Sequence, residues 1–182
     1  VAWTLLLARG LRRGAFCGLR WSEVDLDGGV LRVTSTRVVV DGKAIVSEAK
    51  TGAGRRSVPL DVSLVALLRS HRARQAQERL AAGEAYSDGG FILANELGVA
   101  PHPDSISKWF DNAVKAAKFP RIRLHDTRHT AASPMLASGV PTKVVSEMLG
   151  YASPTITLAI YAYTMPGMGA EAGAPPSASL LG

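Results

Sequence analysis

The chain has 182 residues, 47% of them hydrophobic, with 21 Lys and Arg against 15 Asp and Glu for a formal charge of +6. That length and apolar content suffice for one domain with its own core and exclude a chain disordered throughout. A single cysteine, Cys17, excludes an internal disulfide and a cysteine metal cluster, and is compatible with a reducing cytoplasm.

Residues 1–8 read as a helix, without the basic lead and small-residue cleavage site of a signal peptide. A chain that opens on Val1 in such a run is expected from a cut inside a longer protein. After Gly10, the residues Leu11, Phe16 and Leu19 continue the apolar face, and a short helix is predicted over residues 12–19. The period then changes. Val30, Arg32 and Thr34 alternate with Leu31, Val33 and Ser35, a β-branched run follows at residues 38–40, and Asp41-Gly42 separates it from residues 44–46. Asp-Gly between two such runs predicts a hairpin, and a further strand at residues 56–58 would complete a small antiparallel sheet.

Helical patterning returns with Asp61 as N-cap and Leu64, Leu67 and Leu68 behind it, ending at Gly83. Residues 84–103 read as loop around a short apolar insert at 91–93. Asp104 is expected to cap a helix with Ile106, Trp109, Phe110, Ala113 and Ala117 on one face, and further helices are predicted at residues 126–138, 142–149 and 154–163. Residues 148–170 are uncharged, but Gly150, Pro154, Pro166 and Gly167 interrupt them, and the apolar centre at 156–163 falls far short of the roughly 20 residues a bilayer needs. Residues 169–182, rich in Gly, Ala, Pro and Ser, are expected to form a flexible tail.

The charge is not evenly spread. Residues 9–20, 50–56 and 121–128 together hold ten basic groups and one acid, so the rest of the chain sums to −3. Basic clusters without interleaved acids suit a polyanion such as nucleic acid, although any one of them could be a solvated surface. His125 and His129 share a helix face, yet no Glu or third ligand accompanies them and Arg128 lies beside them, which argues against a metal. Lys50-Thr51-Gly52-Ala53-Gly54 lacks the Gly-Lys-Ser/Thr of a phosphate loop and reads as a tight hairpin carrying a lysine.

Taken in order, these segments resemble the catalytic domain of the tyrosine recombinases, the phage integrase family. The matching residues are Gly10-Leu11-Arg12-Arg13-Gly14 with Gly18-Leu19-Arg20-Trp21, then Lys50-Thr51 with Arg55-Arg56-Ser57-Val58-Pro59-Leu60. His125-Asp126-Thr127-Arg128-His129-Thr130, Leu149-Gly150-Tyr151 and Tyr161 complete the set. The resemblance covers residues 1–168 and implies an α+β, mainly α fold: a helical catalytic domain with a small three-stranded antiparallel sheet. It also implies that the N-terminal DNA-clamping domain of the family is absent from the chain. Its expected setting is the cytoplasm of a bacterium, encoded by it or by a phage, in association with the nucleoid.

The implied activity is strand cleavage and rejoining of double-stranded DNA through a 3′-phosphotyrosyl intermediate, with no metal, no cofactor, no membrane, and self-association into a recombination synapse. Such chemistry needs fixed positive charge on the nonbridging oxygens, a nucleophile and an acid for the leaving oxygen. By the resemblance Arg12 and Arg128 clamp the phosphate, Tyr161 attacks, Lys50 protonates the leaving 5′ oxygen and His125 assists proton transfer. Tyr163, two residues on, would face away from a site that holds Tyr161. Arg13, Arg55, Arg56, Arg121 and Arg123 are the expected DNA contacts. The chain departs from the family pattern at Ala15, where a Glu is usual, and at Tyr151, where His or Trp is usual and a hydroxyl donor stands in part for it. Pro134 should kink the helix that begins near Asp126 or end it early, because it removes a donor and crowds Thr130. These departures favour the alternative of a degenerate, catalytically impaired remnant that keeps only DNA binding or protein association.

Overall fold

A computed structural model describes residues 2–48 and 55–151, together with 155 and 157. Lys50, Tyr161, Tyr163 and the expected tail lie outside the described residues. The helices are α1 (Ala2–Arg9), α2 (Arg13–Gly18), α3 (Val62–Ala82), α4 (Pro103–Ala116), α5 (Thr127–Ala137) and α6 (Thr142–Leu149). The strands are β1 (Val24–Asp25), β2 (Val30–Val33), β3 (Ser35–Val40), β4 (Lys43–Glu48) and β5 (Arg56–Pro59).

The three-stranded antiparallel sheet has the order β1-β2-β5, with Val33 opposite Arg56 and Leu31 opposite Val58. The Asp41-Gly42 turn, with both residues at positive φ, joins β3 to β4 as expected. That hairpin is a separate two-stranded ribbon instead of part of the sheet. The cause is Glu23, a buried carboxylate in the turn after α2. It accepts from the Thr34 N–H and hydroxyl and from the Ser35 hydroxyl, and this draws the chain out of the ladder where β2 ends.

The main core gathers Leu5, Leu6, Phe16, Leu31, Val58, Leu68, Ile106 and Phe110 from α1, α2, the sheet, α3 and α4. A second, smaller cluster of Ala131, Ala132, Leu136, Val145 and Leu149 joins α5 to α6. Gly10 lies at the seam between the two. Its φ is +55°, and a Cβ there would sit 2.5 Å from a Leu149 methyl and 3.1 Å from the Ala131 Cβ, so only glycine lets the α1–α2 turn approach α5 and α6.

Asp61 caps α3 as read, accepting from the Leu64 N–H at 2.9 Å. Asp104 does not cap α4. His102 holds that position with Pro103 first in the helix, where a missing N–H costs nothing, and Asp104 sits in the first turn. The buried face of α4 is Ile106, Phe110 and Val114, a strip at four-residue spacing, and Trp109, Ala113 and Ala117 point away from it. Nor does Pro134 end α5, which continues to Ala137. Pro134 and Thr130 both face solvent, so water can serve the carbonyl that Pro134 leaves without a donor.

On the inner face of α3, His71 Nε2 bonds the Ile92 carbonyl at 2.7 Å, and the Gln75 amide donates to that carbonyl at 3.2 Å and accepts from Trp21 Nε1 at 2.8 Å. Burial first, and then the nearby Arg74, hold the His71 pKa below its usual value. The folded chain therefore keeps a neutral imidazole that the unfolded chain would protonate. Stability is full above the unfolded value of about 6.5 and declines as pH falls below it toward the lower folded value. Urea melts between neutral and mildly acidic pH should show that decline in the parent, and His71→Gln should flatten it.

Candidate active site

α6 ends in a tight reversal. Gly150 is left-handed, with φ 68° and ψ 40°, its N–H bonds the Glu147 carbonyl and the Tyr151 N–H bonds that of Ser146, both at 3.0 Å. This leaves the last carbonyls, of Met148, Leu149 and Gly150, with no helical donor among the described residues. Three arginines take them. Arg56 Nε donates to Met148 at 2.8 Å, an Arg128 Nη to Leu149, and an Arg12 Nη to Gly150. The other Nη of Arg128 donates to the Gly10 carbonyl at 2.7 Å.

The fold thus brings Arg12 from the α1–α2 turn, Arg56 from β5, Arg128 from α5 and Tyr151 after α6 to one place. Arg128 is 1% exposed, and its guanidinium carbon lies 4.9 Å from the Tyr151 ring centroid. Among the described residues, Arg128 Nε and one Nη of Arg56 are buried without a hydrogen-bond partner, and the Tyr151 hydroxyl is buried beside Arg128. Burial, and then the charges of Arg128 and Arg12, bring the Arg56 pKa down to about 10. Burial lowers that of Arg128 also. Both remain cations at neutral pH.

His125, exposed at the N-terminal side of α5, lines an open cavity of about 410 Å³ with Leu11, Arg13, Ser107, Asp111, Arg123, Leu124 and Arg128. Partial burial, then Arg128 and His129, lower the His125 pKa, so the imidazole is a neutral proton acceptor at pH 7. Its ring lies 6.5 Å from that of His129, and no cluster of metal-ligating groups occurs among the described residues. Buried Ala15 contributes to the main core.

The expected DNA contacts divide. Arg13, Arg55 and Arg123 are surface residues paired with Asp104 at 2.9 Å, Glu48 at 2.6 Å and Asp126 at 3.1 Å. Arg121 is exposed. Arg56 instead ties β5 to α6. Sequence reading missed Ser107 and Asp111, whose signal is helical spacing alone, and the acceptor carbonyls, which no residue type announces. Arg128→Lys should cost about 2–3 kcal/mol in chemical denaturation, because an ammonium cannot serve Gly10 and Leu149 together as the planar fork does.

The Phage integrase family model matches residues 1–166. A tyrosine recombinase XerC-like protein of Caldanaerobacter subterraneus subsp. tengcongensis is 33% identical over 174 residues, 89% of this chain and 44% of that protein. An integrase of Saccharopolyspora erythraea is 37% identical over 117 residues, 63% of this chain and 26% of its own length. The chain thus spans less than half the length of these curated relatives. Among solved structures, the Tn1549 transposon integrase in complex with transposon right end DNA superposes with a TM-score of 0.78 at 22% identity, over 94% of this chain and 56% of that one. XerA recombinase does so at 0.70 and 23%, over 94% and 55%. These likenesses carry the fold: mainly helical, with the small antiparallel sheet. On the match across residues 1–166, the chain belongs to the phage integrase family.

Proposed function

We propose that residues 1–168 act as the catalytic domain of a tyrosine-type site-specific recombinase that cuts and rejoins double-stranded DNA. The observation that carries the reading is the convergence of Arg12, Arg56 and Arg128 on the end of α6, with neutral His125 lining the adjoining cavity. Guanidiniums without a carboxylate partner are the surroundings a phosphodiester needs if its nonbridging oxygens are to gain charge without a metal.

In this mechanism Tyr161 attacks phosphorus, the bond to the 5′ oxygen breaks, and a 3′-phosphotyrosyl link keeps the bond energy for religation. Lys50 gives its proton to the departing oxygen, and His125 accepts the tyrosine proton. Arg12 and Arg128 stabilise the pentacoordinate transition state, and Tyr151 lends a hydroxyl to that shell. Arg13, Arg55, Arg121 and Arg123 meet flanking phosphates. The surface ion pairs of three of them are solvent-screened and weak enough to exchange for DNA. Arg56 contributes charge from behind. The substrate of this reading places the protein in the cytoplasm on nucleoid DNA, self-associating in a synapse; no helix among the described residues is long and apolar enough to cross a membrane.

The second reading, a remnant that binds DNA or a recombinase and cuts nothing, draws on Ala15 and on the sealed hydroxyl of Tyr151. Incubation with nicked core-site DNA separates the two. A protein–DNA adduct that survives SDS and EDTA, is lost in Tyr161→Phe and is kept in Tyr163→Phe is the expected result. Failure of the parent protein to form an adduct would sink the first reading.

A further inference from the structure

We infer that the turn after α4, residues 117–122, is an apolar wedge that seats in a groove of duplex DNA, with Phe119 at its tip and Lys118 and Arg121 on the flanking phosphates. It rests on the DNA-binding reading above and adds a contact surface outside the catalytic cluster.

The turn is built, not frayed. Lys118 is left-handed at φ 56°, its N–H bonds the Lys115 carbonyl at 3.0 Å, and the Phe119 N–H bonds that of Val114 at 3.2 Å. In such a helix end the residue after the left-handed one usually covers an apolar side chain one turn back. Here Val114 is already buried in the main core and Phe119 is left 69% exposed, with Ile122 at 42%. The backbone therefore holds a large aromatic out in water.

What surrounds Phe119 says which partner fits. Lys115, Lys118 and Arg121 form no ion pair among the described residues, whereas Arg123 is held by Asp126. An apolar protein surface would have to bury those cations without counter-charge. A duplex offers phosphates for them and sugar and base faces for the ring, the arrangement in which apolar wedges enter DNA. The position also agrees. Ser107 and Asp111 line the cavity that holds His125 and Arg128, and Lys115 continues that face of α4 at helical spacing into the turn. From Asp111 to Ala117, where the helix gives way to the turn, is about 9 Å at 1.5 Å per residue, a little under three nucleotide steps of 3.4 Å. The wedge would thus sit on duplex flanking the cleaved bond.

The chain is titrated with a labelled short duplex of mixed sequence across a salt series. Phe119→Ala should weaken binding at least about fivefold, with an unchanged log–log salt slope because no charge is lost. Lys118→Ala and Arg121→Ala should each flatten that slope by about 0.9, and Phe119→Leu, which keeps an apolar tip, should retain most of the affinity. With Phe119 exposed, the variants should melt with the parent. Phe119→Ala binding as tightly as the parent overturns the wedge. A self-association of the free chain that Phe119→Ala abolishes in sedimentation also overturns it, assigning the tip to a second copy. A parent that binds no duplex at low salt overturns the DNA-binding reading itself. Because no cleavage is required, the outcome is independent of the Tyr161 adduct.

Discussion

Three arginines from distant parts of the chain are anchored on the carbonyls that close α6, and the site exists only because those carbonyls are free to accept. The left-handed Gly150 turns the N–H groups of Gly150 and Tyr151 back into the helix and leaves Met148, Leu149 and Gly150 pointing outward. Each takes a charge-assisted hydrogen bond, a class worth about 1.5–3 kcal/mol. The partial negative charge at a helix C-terminus adds to the attraction. One short helix end thereby pins the α1–α2 turn, β5 and α5 to each other, across the seam between the two apolar clusters.

The same arrangement crowds like charges. Arg56 falls to about 10 because burial and its two cationic neighbours act together, yet it stays protonated at pH 7. Among the described residues no carboxylate pairs with Arg12, Arg56 or Arg128, and Ala15 is an alanine in the main core. The cations are held by dipoles, and by the face of the Tyr151 ring in the case of Arg128. An anion entering such a site relieves repulsion as well as gaining attraction. On the proposed function the gain would be larger for a phosphorane with added equatorial charge than for a ground-state diester, and that difference would lower the barrier.

Much of this was legible beforehand, for local reasons. Asp-Gly dictated the β3–β4 turn, Asp61 and Gly83 bounded α3, and the ordered motifs pointed to Arg12, His125, Arg128 and Tyr151. The rest depended on tertiary partners. Glu23 splits the hairpin from the sheet by accepting Thr34 and Ser35, a contact that no period or propensity encodes. Arg56 reads from the sequence only as one basic residue beside a hairpin. Its placement next to Met148 follows only from β5 running alongside α6. His102 and Pro103 outcompeted Asp104 as the start of α4 because proline fits the first helical position, whereas Asp104 is turned toward Arg13.

Burial sorts arginines that are chemically identical into different tasks. The Arg123 side chain is 79% exposed, and on the proposed function it would have to give up its Asp126 pair and its rotamer freedom to hold a phosphate in one place. Arg128, locked by two carbonyls, has already lost that freedom when the chain folded. On the proposed function a phosphate reaching it would meet a donor whose direction is fixed, with the cost of ordering met by folding instead of by binding. Positional accuracy therefore belongs to the buried cations around α6. The exposed ones supply charge and little geometry, so their contribution should fade with salt while that of Arg128 persists.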